Sequence, residues 1–460
     1  MEYRLTLKQF QEGPMFDSKG KLHHKQAIRL KLFPYVSQNN PVEDFERLVG
    51  TFLCRIEDKK PKGISVSELV ERLKEDTDIG VGKEQLFYET VKQIFFDSAE
   101  QIRALNLQLL MQNRCKEICE EKLAEYLVDV LGDKVNLNNV LQNALQKSEK
   151  DSNVFERLAV SKLEYIPENN SSSNHYFRVV DSLAELFSKD FAFVLDSQTR
   201  TREYLVSLLE FYCFTYTAQV CMQLNRLTEG ERSKNVPLYF CLEWEKTSQS
   251  RLCYSQGWQQ LQKAMEKMFA HAVVLEILNQ TEPGSAQVDY IELAQLVKDN
   301  PNLDAEVAAM IDQVTECYRA AITDCPEMSE LEKRQVQEDK TEESIKYLFD
   351  SVKTQFECAR LPPYRRYADN FAVLCQKYLK RRGRSGQMLN ITEENLIFLT
   401  KLAIKNQEQM RLIDVFDEFQ ARGVFLDDFS KEQVTIYYEK LNLIEKKSDS
   451  GDAKYVRRIL

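Results

Sequence analysis

The sequence predicts a mainly α-helical, multi-domain protein with a short β piece at its N-terminus and a winged-helix module at its C-terminus. At 460 residues and 43% hydrophobic content, the chain is long enough for about two to four domains with sizeable cores. Glycine occurs 14 times and proline 11 times, well below average usage, and such a scarcity of helix breakers favours helices. The apolar residues recur with a helical period over most of the chain and alternate only near its two ends.

The first 35 residues differ from the rest because their apolar residues alternate. Tyr3, Leu5 and Leu7 form one alternating set, and Ile28–Leu32 forms another before Pro34. Alternation is typical of strands, so a short two-stranded piece is expected here.

Helical signals follow this piece. Phe45–Phe52 places its apolar residues on one face, and Ser65 with Glu68 three positions later forms a capping box for the next helix. The segment Lys83–Leu131 has heptad-like spacing and predicts one nearly unbroken helix. The loop Pro167–Asn174 then separates these helices from a second helical block.

The second block is predicted to form around Tyr204–Leu227, which is apolar on nearly all sides and therefore belongs at the centre of a core. Val236–Phe240 is predicted as a short extended segment, and Gly257–Leu278 and Asp304–Ile322 as helices. Glu327–Lys340 is a charged, exposed connection, and the proline pair Pro362–Pro363 ends the block. Four segments result: an N-terminal helical domain with the β piece (1–167), a central helical domain (175–361), a basic connector (362–388) and the winged-helix module (389–460).

The C-terminal module is predicted from the order helix, helix, helix, hairpin. Thr392 caps the first helix, Leu412–Phe419 carries the buried stripe of the second, and Ser430 with Gln433 is a capping-box start for the third. The third helix is expected to bury Val434, Tyr438 and Leu441. Residues 443–447 and 453–457 alternate around a polar turn at 448–452, which predicts a hairpin.

The charge distribution points to the C-terminal hundred residues as the place for nucleic acid. The formal net charge is −10, which argues against a protein that coats nucleic acid with its whole surface. Residues 361–460 contain 18 basic and 14 acidic residues, whereas the rest of the chain contains 44 and 58.

The eleven cysteines are scattered and mostly lie in apolar helical patterns, so they are interpreted as reduced core thiols of a cytoplasmic protein. No secretory signal opens the chain and no apolar run of about 18 residues is evident, so no membrane association is expected.

The sequence lacks the motifs that known catalytic sites require. Gly80–Lys83 has the wrong glycine spacing for a phosphate-binding loop, and a turn between helices is the better interpretation. Cys115 and Cys119 could supply two zinc ligands, but the sequence has no second pair of ligands. They are therefore interpreted as core side chains and not as a zinc site. Asp44 and Glu57-Asp58-Lys59 imitate a nuclease motif but lack an apolar strand. We therefore expect a non-enzymatic protein without cofactor or metal, with a metal-dependent nuclease as the weakest alternative.

The candidate DNA-binding residues are the basic side chains near the C-terminus. They are Lys380, Arg381, Arg382, Arg384, Lys431, Lys440, Lys446, Lys447, Lys454, Arg457 and Arg458. The first four lie in a Gly/Ser context, either as a phosphate-tracking segment or as a solvated linker. The third helix balances Lys431 and Lys440 with acidic residues and exposes Tyr437, which does not favour base readout. Non-specific duplex contact through the hairpin and docking of a protein partner both remain open.

Four segments carry a resemblance to a known family: Arg422–Ser430, Lys440–Val456, the aromatic-rich Tyr204–Leu227, and Pro237–Glu245 continuing to Trp258. They resemble the DNA phosphorothioation-dependent restriction protein DptG (DndG) family. The likeness covers about half of the chain and is weakest over the first 160 residues.

The resemblance implies a subunit of a bacterial defence complex (DptFGH or DndFGH) that restricts DNA lacking a phosphorothioate mark. Its expected partners are the companion ATPase subunits DptF and DptH, together with double-stranded DNA. The family has no established catalytic residues to carry over. Trp244, Arg251 and Trp258, with Tyr437, are candidates for a partner surface, although a packed aromatic corner is the simpler interpretation.

Overall fold

A computed structural model describes residues 3–25, 28–34, 45–168, 175–197, 200–446 and 454–459, without the side chains of Pro363 and Lys446. The protein is mainly helical, with 60% helix and 19 α-helices in these ranges, as the sequence predicted. Short strands form small sheets between the helices.

The first ten helices are α1 (Leu7–Glu12), α2 (Phe45–Ile56), α3 (Val66–Lys74), α4 (Glu84–Phe95), α5 (Leu107–Leu110), α6 (Ile118–Val130), α7 (Lys134–Asp151), α8 (Val154–Ser161), α9 (Asp181–Asp196) and α10 (Thr201–Leu224). The others are α11 (Gln259–Glu266), α12 (Met268–Leu278), α13 (Tyr290–Val297), α14 (Pro301–Ala320), α15 (Lys340–Ala359), α16 (Leu361–Leu374), α17 (Glu393–Ile404), α18 (Leu412–Ala421) and α19 (Asp428–Lys440).

The strands are β1 (Lys59–Pro61), β2 (Tyr165–Pro167), β3 (Tyr239–Leu242), β4 (Leu379–Arg381), β5 (Gln387–Ile391), β6 (Gln409–Arg411), β7 (Phe425–Leu426), β8 (Ile444–Lys446) and β9 (Lys454–Arg457). They form a β1-β2 pair, a mixed sheet of order β4-β5-β3-β7 and an antiparallel sheet of order β6-β9-β8.

The chain divides into two compact units, neither of which is continuous in sequence. The small unit contains residues 42–173 and 183–213, and the large unit contains residues 1–41, 174–182 and 214–460. The four segments predicted from the sequence were each continuous, because periodicity alone does not show which distant segments pack together.

The core of the small unit forms around α2. Phe52 is fully buried and makes edge-to-face contacts with Phe187 and Phe191, whose rings stack on each other. Ser65 caps α3 by accepting a hydrogen bond from the Glu68 amide, which confirms the predicted start of that helix.

The predicted helix over Lys83–Leu131 is wrong, because the segment contains three helices, α4 to α6, separated by turns. After α4, the Asp97 carboxylate accepts hydrogen bonds from the amides of Ala99 and Gln101 at 2.8 Å each. Glu100 takes a positive φ of 57°, so the chain reverses here instead of continuing as a helix.

The predicted β piece at the N-terminus is also wrong within the described part of that segment. Leu7 starts α1, which Thr6 caps by accepting a hydrogen bond from the Gln9 amide. The segments around Leu5 and Lys31 do not pair with each other. Leu5 forms an isolated bridge with Thr281, and Lys31 forms one with Tyr176. The alternating apolar residues therefore face different partners in the large unit instead of one another.

The helices of the large unit pack around α12, all of whose residues except Ala272 are buried. α14 and α15 pack against each other, and α15 and α16 both contact α12. The proline pair Pro362–Pro363 does not end the helical block: it lies in the first turn of α16, where a missing amide hydrogen costs nothing.

The helix α10 confirms the predicted central apolar helix. It is long and apolar enough to cross a membrane by length and composition alone, a property that inspection of the sequence missed, but 83% of its most apolar stretch is buried in the protein. Its Phe214 ring stacks on Tyr378 with 4.5 Å between centroids.

The mixed sheet joins distant parts of the chain. β3 pairs in parallel with β5 at Cys241–Asn390 and with β7 at Tyr239–Phe425, while β4 and β5 form an antiparallel hairpin. The short extended element predicted near residue 240 is confirmed, and it occupies an interior position in this sheet.

Candidate nucleic-acid and partner interface

The C-terminal module, defined here as residues 392–458, contains α17, α18, α19, the β6-β9-β8 sheet and the strand β7, which pairs in the mixed sheet. Thr392 accepts a hydrogen bond from the Asn395 amide and caps α17, as predicted. Val415 and Phe419 of α18 and Val434 and Tyr438 of α19 are fully buried. The predicted buried Leu441 is instead 44% exposed, because α19 ends one residue before it.

The predicted start of α19 is wrong by one turn. Asp427, and not Ser430, is the N-cap: its carboxylate accepts a hydrogen bond from the Ser430 amide at 3.0 Å. Ser430 is buried, and its hydroxyl donates to the Glu245 carboxylate at 2.9 Å. A serine inside the first turn is therefore used to connect α19 to the segment that follows β3.

Arg251 links the same groups, and we define the Arg251 cluster as Glu245, Arg251, Asp427 and Ser430. The guanidinium donates to Asp427, to Glu245 and to the Ser430 hydroxyl. Burial raises the pKa of Glu245. Burial also acts to raise the pKa of Asp427, but the hydrogen bonds from Arg251 and the Ser430 amide outweigh it and hold that pKa below its usual value. Arg251 is thus a satisfied internal cation.

The aromatic candidates are mostly internal. Trp258 is 5% exposed, and the chain before it packs closely, since a Cβ on Gly257 would lie 2.7 Å from the Tyr239 carbonyl oxygen. Trp244 is half-buried against Tyr437, with 4.8 Å between ring centroids. The Tyr437 hydroxyl donates to Glu393 at 3.2 Å. Of these candidates, therefore, the Trp244–Tyr437 pair alone has partly accessible aromatic surface.

The basic run at Lys380–Gly386 is not a flexible linker, because β4, a tight 3₁₀ turn and β5 make it a hairpin. Lys380 pairs with Glu243 at 2.9 Å. Arg382 donates to the Leu242 carbonyl at 2.6 Å and to the Asn390 side chain at 2.8 Å, so it holds the sheet together. Arg381 and Arg384 point to solvent and make no ion pair with any residue in the described ranges.

The basic candidates in the C-terminal module are partly neutralised as well. Lys454 pairs with Glu439 at 3.1 Å, and Arg457 pairs with Glu445 at 3.2 Å. Lys431 lies over the Phe416 ring, 5.9 Å from its centroid, while Lys440 and Arg458 are exposed. Lys446 belongs to β8, but its side chain lies outside the described part of the chain. Lys447 and the predicted turn at 448–452 also lie outside the described residues.

The outer face of α19 has a chemistry that the sequence interpretation missed. Its exposed residues are Asp428, Phe429, Glu432, Ile436, Glu439 and, at its last position, Lys440, so the face is mainly acidic and apolar. Their spacing of three and four residues is readable in the sequence once the true start of the helix is known. An acidic face repels phosphates, so α19 is unsuited to lie in a DNA groove.

The motifs considered for catalysis lie either in an exposed turn or among buried side chains. Gly80–Lys83 is an exposed turn before α4, with Gly82 at a φ of 79°. Burial raises the pKa of Glu57, whose carboxylate is bonded by Gln142, and raises the pKa of Cys115 to about 12. Asp44 lies outside the described residues.

No protein-family model matches the chain, and no curated protein matches it.

Proposed function

We propose that the chain is a non-catalytic scaffold and DNA-engaging subunit of a DNA phosphorothioation-dependent restriction complex that acts on unmodified DNA. The resemblance of its central and C-terminal segments to the DptG family supports the assignment to that system. Two of the resembling segments, around Arg251 and Asp427, form one internal cluster, which supports treating them as parts of a single conformational unit.

In this proposal the C-terminal module is a winged helix. Its element order α17–β6–α18–β7–α19–β8–β9 and its antiparallel β6-β9-β8 sheet support that assignment. Winged helices commonly contact duplex DNA through the third helix and the hairpin. The acidic outer face of α19 removes the first of these contacts, so DNA engagement is assigned to cations outside α19.

The observation that carries the DNA half of the proposal is the pair Arg381 and Arg384. Both are exposed on a hairpin of fixed shape, while their neighbours Lys380 and Arg382 are used within the fold. Exposed arginines on an ordered hairpin contact phosphates non-specifically at little cost in conformational entropy. Arg458 at the end of β9 is a further exposed cation.

A second candidate function is a protein-only adaptor, in which the module docks a companion ATPase subunit. The outer face of α19 favours it, because Phe429 is 41% and Ile436 37% exposed between carboxylates. An apolar centre with a charged rim is the usual composition of a protein-binding surface.

One experiment with the full-length protein separates the two functions. Arg381→Glu with Arg384→Glu changes the hairpin, and Glu432→Lys with Ile436→Lys changes α19. Lys298→Glu with Arg334→Glu is the charge-matched control for the hairpin variant, and Glu306→Lys is the helical control. Point variants are preferable to deletion of 389–460, because that deletion would remove β7 and most of β5 from the mixed sheet.

Each variant is co-expressed with the two companion ATPase subunits and assayed for co-purification, duplex binding and restriction of unmodified plasmid. A DNA-engaging subunit loses duplex binding and restriction in the hairpin variant but still co-purifies. An adaptor loses co-purification in the α19 variant, and no form of it shifts DNA. Equal duplex binding by the hairpin variant and its control would remove the DNA half of the proposal.

A further inference from the structure

Three metal-ligating atoms converge where the turn Pro326–Glu330 packs against the end of α15. The Sγ atoms of Cys325 and Cys358 and a carboxylate oxygen of Glu327 all lie within 4.8 Å of one another. Cys358 Sγ is 2.7 Å and Cys325 Sγ is 3.8 Å from the same Glu327 oxygen. Cys325 is buried, whereas Glu327 and Cys358 are exposed, so the group opens to solvent on one side.

The turn that carries two of these ligands is fastened on both sides of Cys325. Asp324 accepts a hydrogen bond from Arg360, the residue after α15, at 3.3 Å. Arg319 of α14 donates to the Met328 carbonyl at 2.8 Å. Because these contacts fix the backbone before and after the ligands, the three side chains are held together without a bound ion.

We propose that Cys325, Glu327 and Cys358 form a binding site for a thiophilic divalent cation, with zinc as the occupant and water as the fourth ligand. Zinc takes thiolate and carboxylate ligands in tetrahedral geometry, and sites with three protein ligands keep one open position. Bonds of about 2.3 Å to sulfur and about 2.0–2.2 Å to oxygen place tetrahedral sulfur and oxygen ligands about 3.6 Å apart. The 3.8 Å separation of Cys325 Sγ from the Glu327 oxygen already fits this value, whereas the 2.7 Å contact of Cys358 Sγ must open when the ion binds. Binding exchanges the two thiol protons, which leave to solvent, for one cation.

A disulfide between the two cysteines is the competing use of the cluster. The same Glu327 oxygen lies against both sulfur atoms, 2.7 Å from Cys358 Sγ and 3.8 Å from Cys325 Sγ. A disulfide would not use this carboxylate, whereas a cation stabilises all three anionic ligands together. The cluster is thus better suited to a metal ion than to oxidation.

The test uses the full-length protein, purified under reducing conditions, stripped with a chelator and titrated with Zn²⁺ against a chromophoric competitor. Glu327→Gln and Cys358→Ser are surface changes that spare the fold, and Cys317→Ser in α14 is the control cysteine. The wild type and the control are expected to bind one equivalent that Cys358→Ser lacks. Loss of a direct ligand should weaken binding by more than the roughly 10–100-fold that outer groups contribute.

Co²⁺ provides a second readout, because a thiolate-to-cobalt charge-transfer band appears only when cysteine is a ligand. The band should be present in the wild type, weakened in Cys358→Ser and shifted in Glu327→Gln. Identical titrations for the wild type and Cys358→Ser would overturn the proposal. A Cys325–Cys358 disulfide in protein isolated with its thiols blocked at lysis would overturn it as well.

Discussion

Arg251 donates two hydrogen bonds to the carboxylate of Asp427, at 2.8 Å from Nε and 2.5 Å from Nη2. Asp427 is also the N-cap of α19, so one carboxylate both starts the helix and pairs with a partly buried cation. The contact joins residues that are 176 positions apart in the sequence. The orientation of α19 in the large unit therefore depends on this pair.

Replacement of Asp427 with alanine should destabilise the C-terminal module by about 2 kcal/mol or more. Breaking a fully buried ion pair costs roughly 3–5 kcal/mol, this pair is partly buried, and losing an N-cap costs about 1 kcal/mol. Amide hydrogen exchange over residues 428–440 measures the effect locally. Asp427→Asn keeps a capping side chain and isolates the charge. Asp133→Ala, which removes the exposed cap of α7, should cost only about 1 kcal/mol.

The large unit should lose stability as the pH falls below about 6.5, the ordinary pKa of histidine. Burial, assisted by the Lys267 charge, lowers the pKa of His271 to about 3, and burial lowers that of His24 to about 4. The unfolded chain therefore binds more protons than the folded chain between these pKa values and 6.5, and stability falls with pH in that window. Each histidine should cost about 1.5 kcal/mol between pH 6.5 and pH 5.

Urea unfolding at several pH values tests this slope with His271→Phe, which keeps a ring stacked on Phe349. The variant should show a shallower loss of stability on acidification than the wild type. A slope that is the same in both proteins would show that His271 does not titrate as its burial requires.

Gly50 in α2 should not tolerate alanine. A Cβ at this position would lie 1.9 Å from the Asn113 carbonyl oxygen and 2.7 Å from that of Leu110. Relief of this overlap requires backbone movement, so Gly50→Ala should destabilise the small unit by at least about 1–3 kcal/mol in chemical denaturation. Gly80→Ala, where the added methyl group makes only ordinary contacts, should change stability by less than about 0.5 kcal/mol.

Arg381 and Arg384 should each contribute to the salt dependence of DNA binding. Each phosphate contact contributes about −0.9 to the slope of log K against log salt for B-DNA. Arg381→Glu with Arg384→Glu should therefore make the slope shallower by about 2, whereas Lys298→Glu with Arg334→Glu should not alter it. Fluorescence anisotropy of a labelled duplex at several salt concentrations gives both values. Parallel lines for the two variants would exclude the hairpin as a phosphate contact.

Local chemistry made parts of this fold predictable. The caps at Ser65 and Thr392 and the stripe of α18 depend on neighbours within one or two turns, and all are confirmed. Asp427 and Ser430 are both good N-caps, and the choice between them depends on Glu245, which lies far away in sequence. Local pattern could not make that choice.

The candidate site was less predictable because its cations are neutralised by distant groups. Arg382 is held by the Leu242 carbonyl, and nothing near it in sequence shows that. The strand β6 is polar and only three residues long, so pairing with β9 alone defines it. The Cys325–Glu327–Cys358 group was missed for the same reason, since its last ligand is on another helix.

The interior position of β3 in the mixed sheet has a consequence for synthesis of the protein. Both neighbours of β3 lie in the last part of the chain, since β5 begins at Gln387 and β7 at Phe425. At roughly 5–20 residues per second, translation leaves β3 without either neighbour for on the order of 10 s. The nascent chain thus carries an unpaired apolar strand during that interval, and a chaperone that shields it would increase the yield of folded protein.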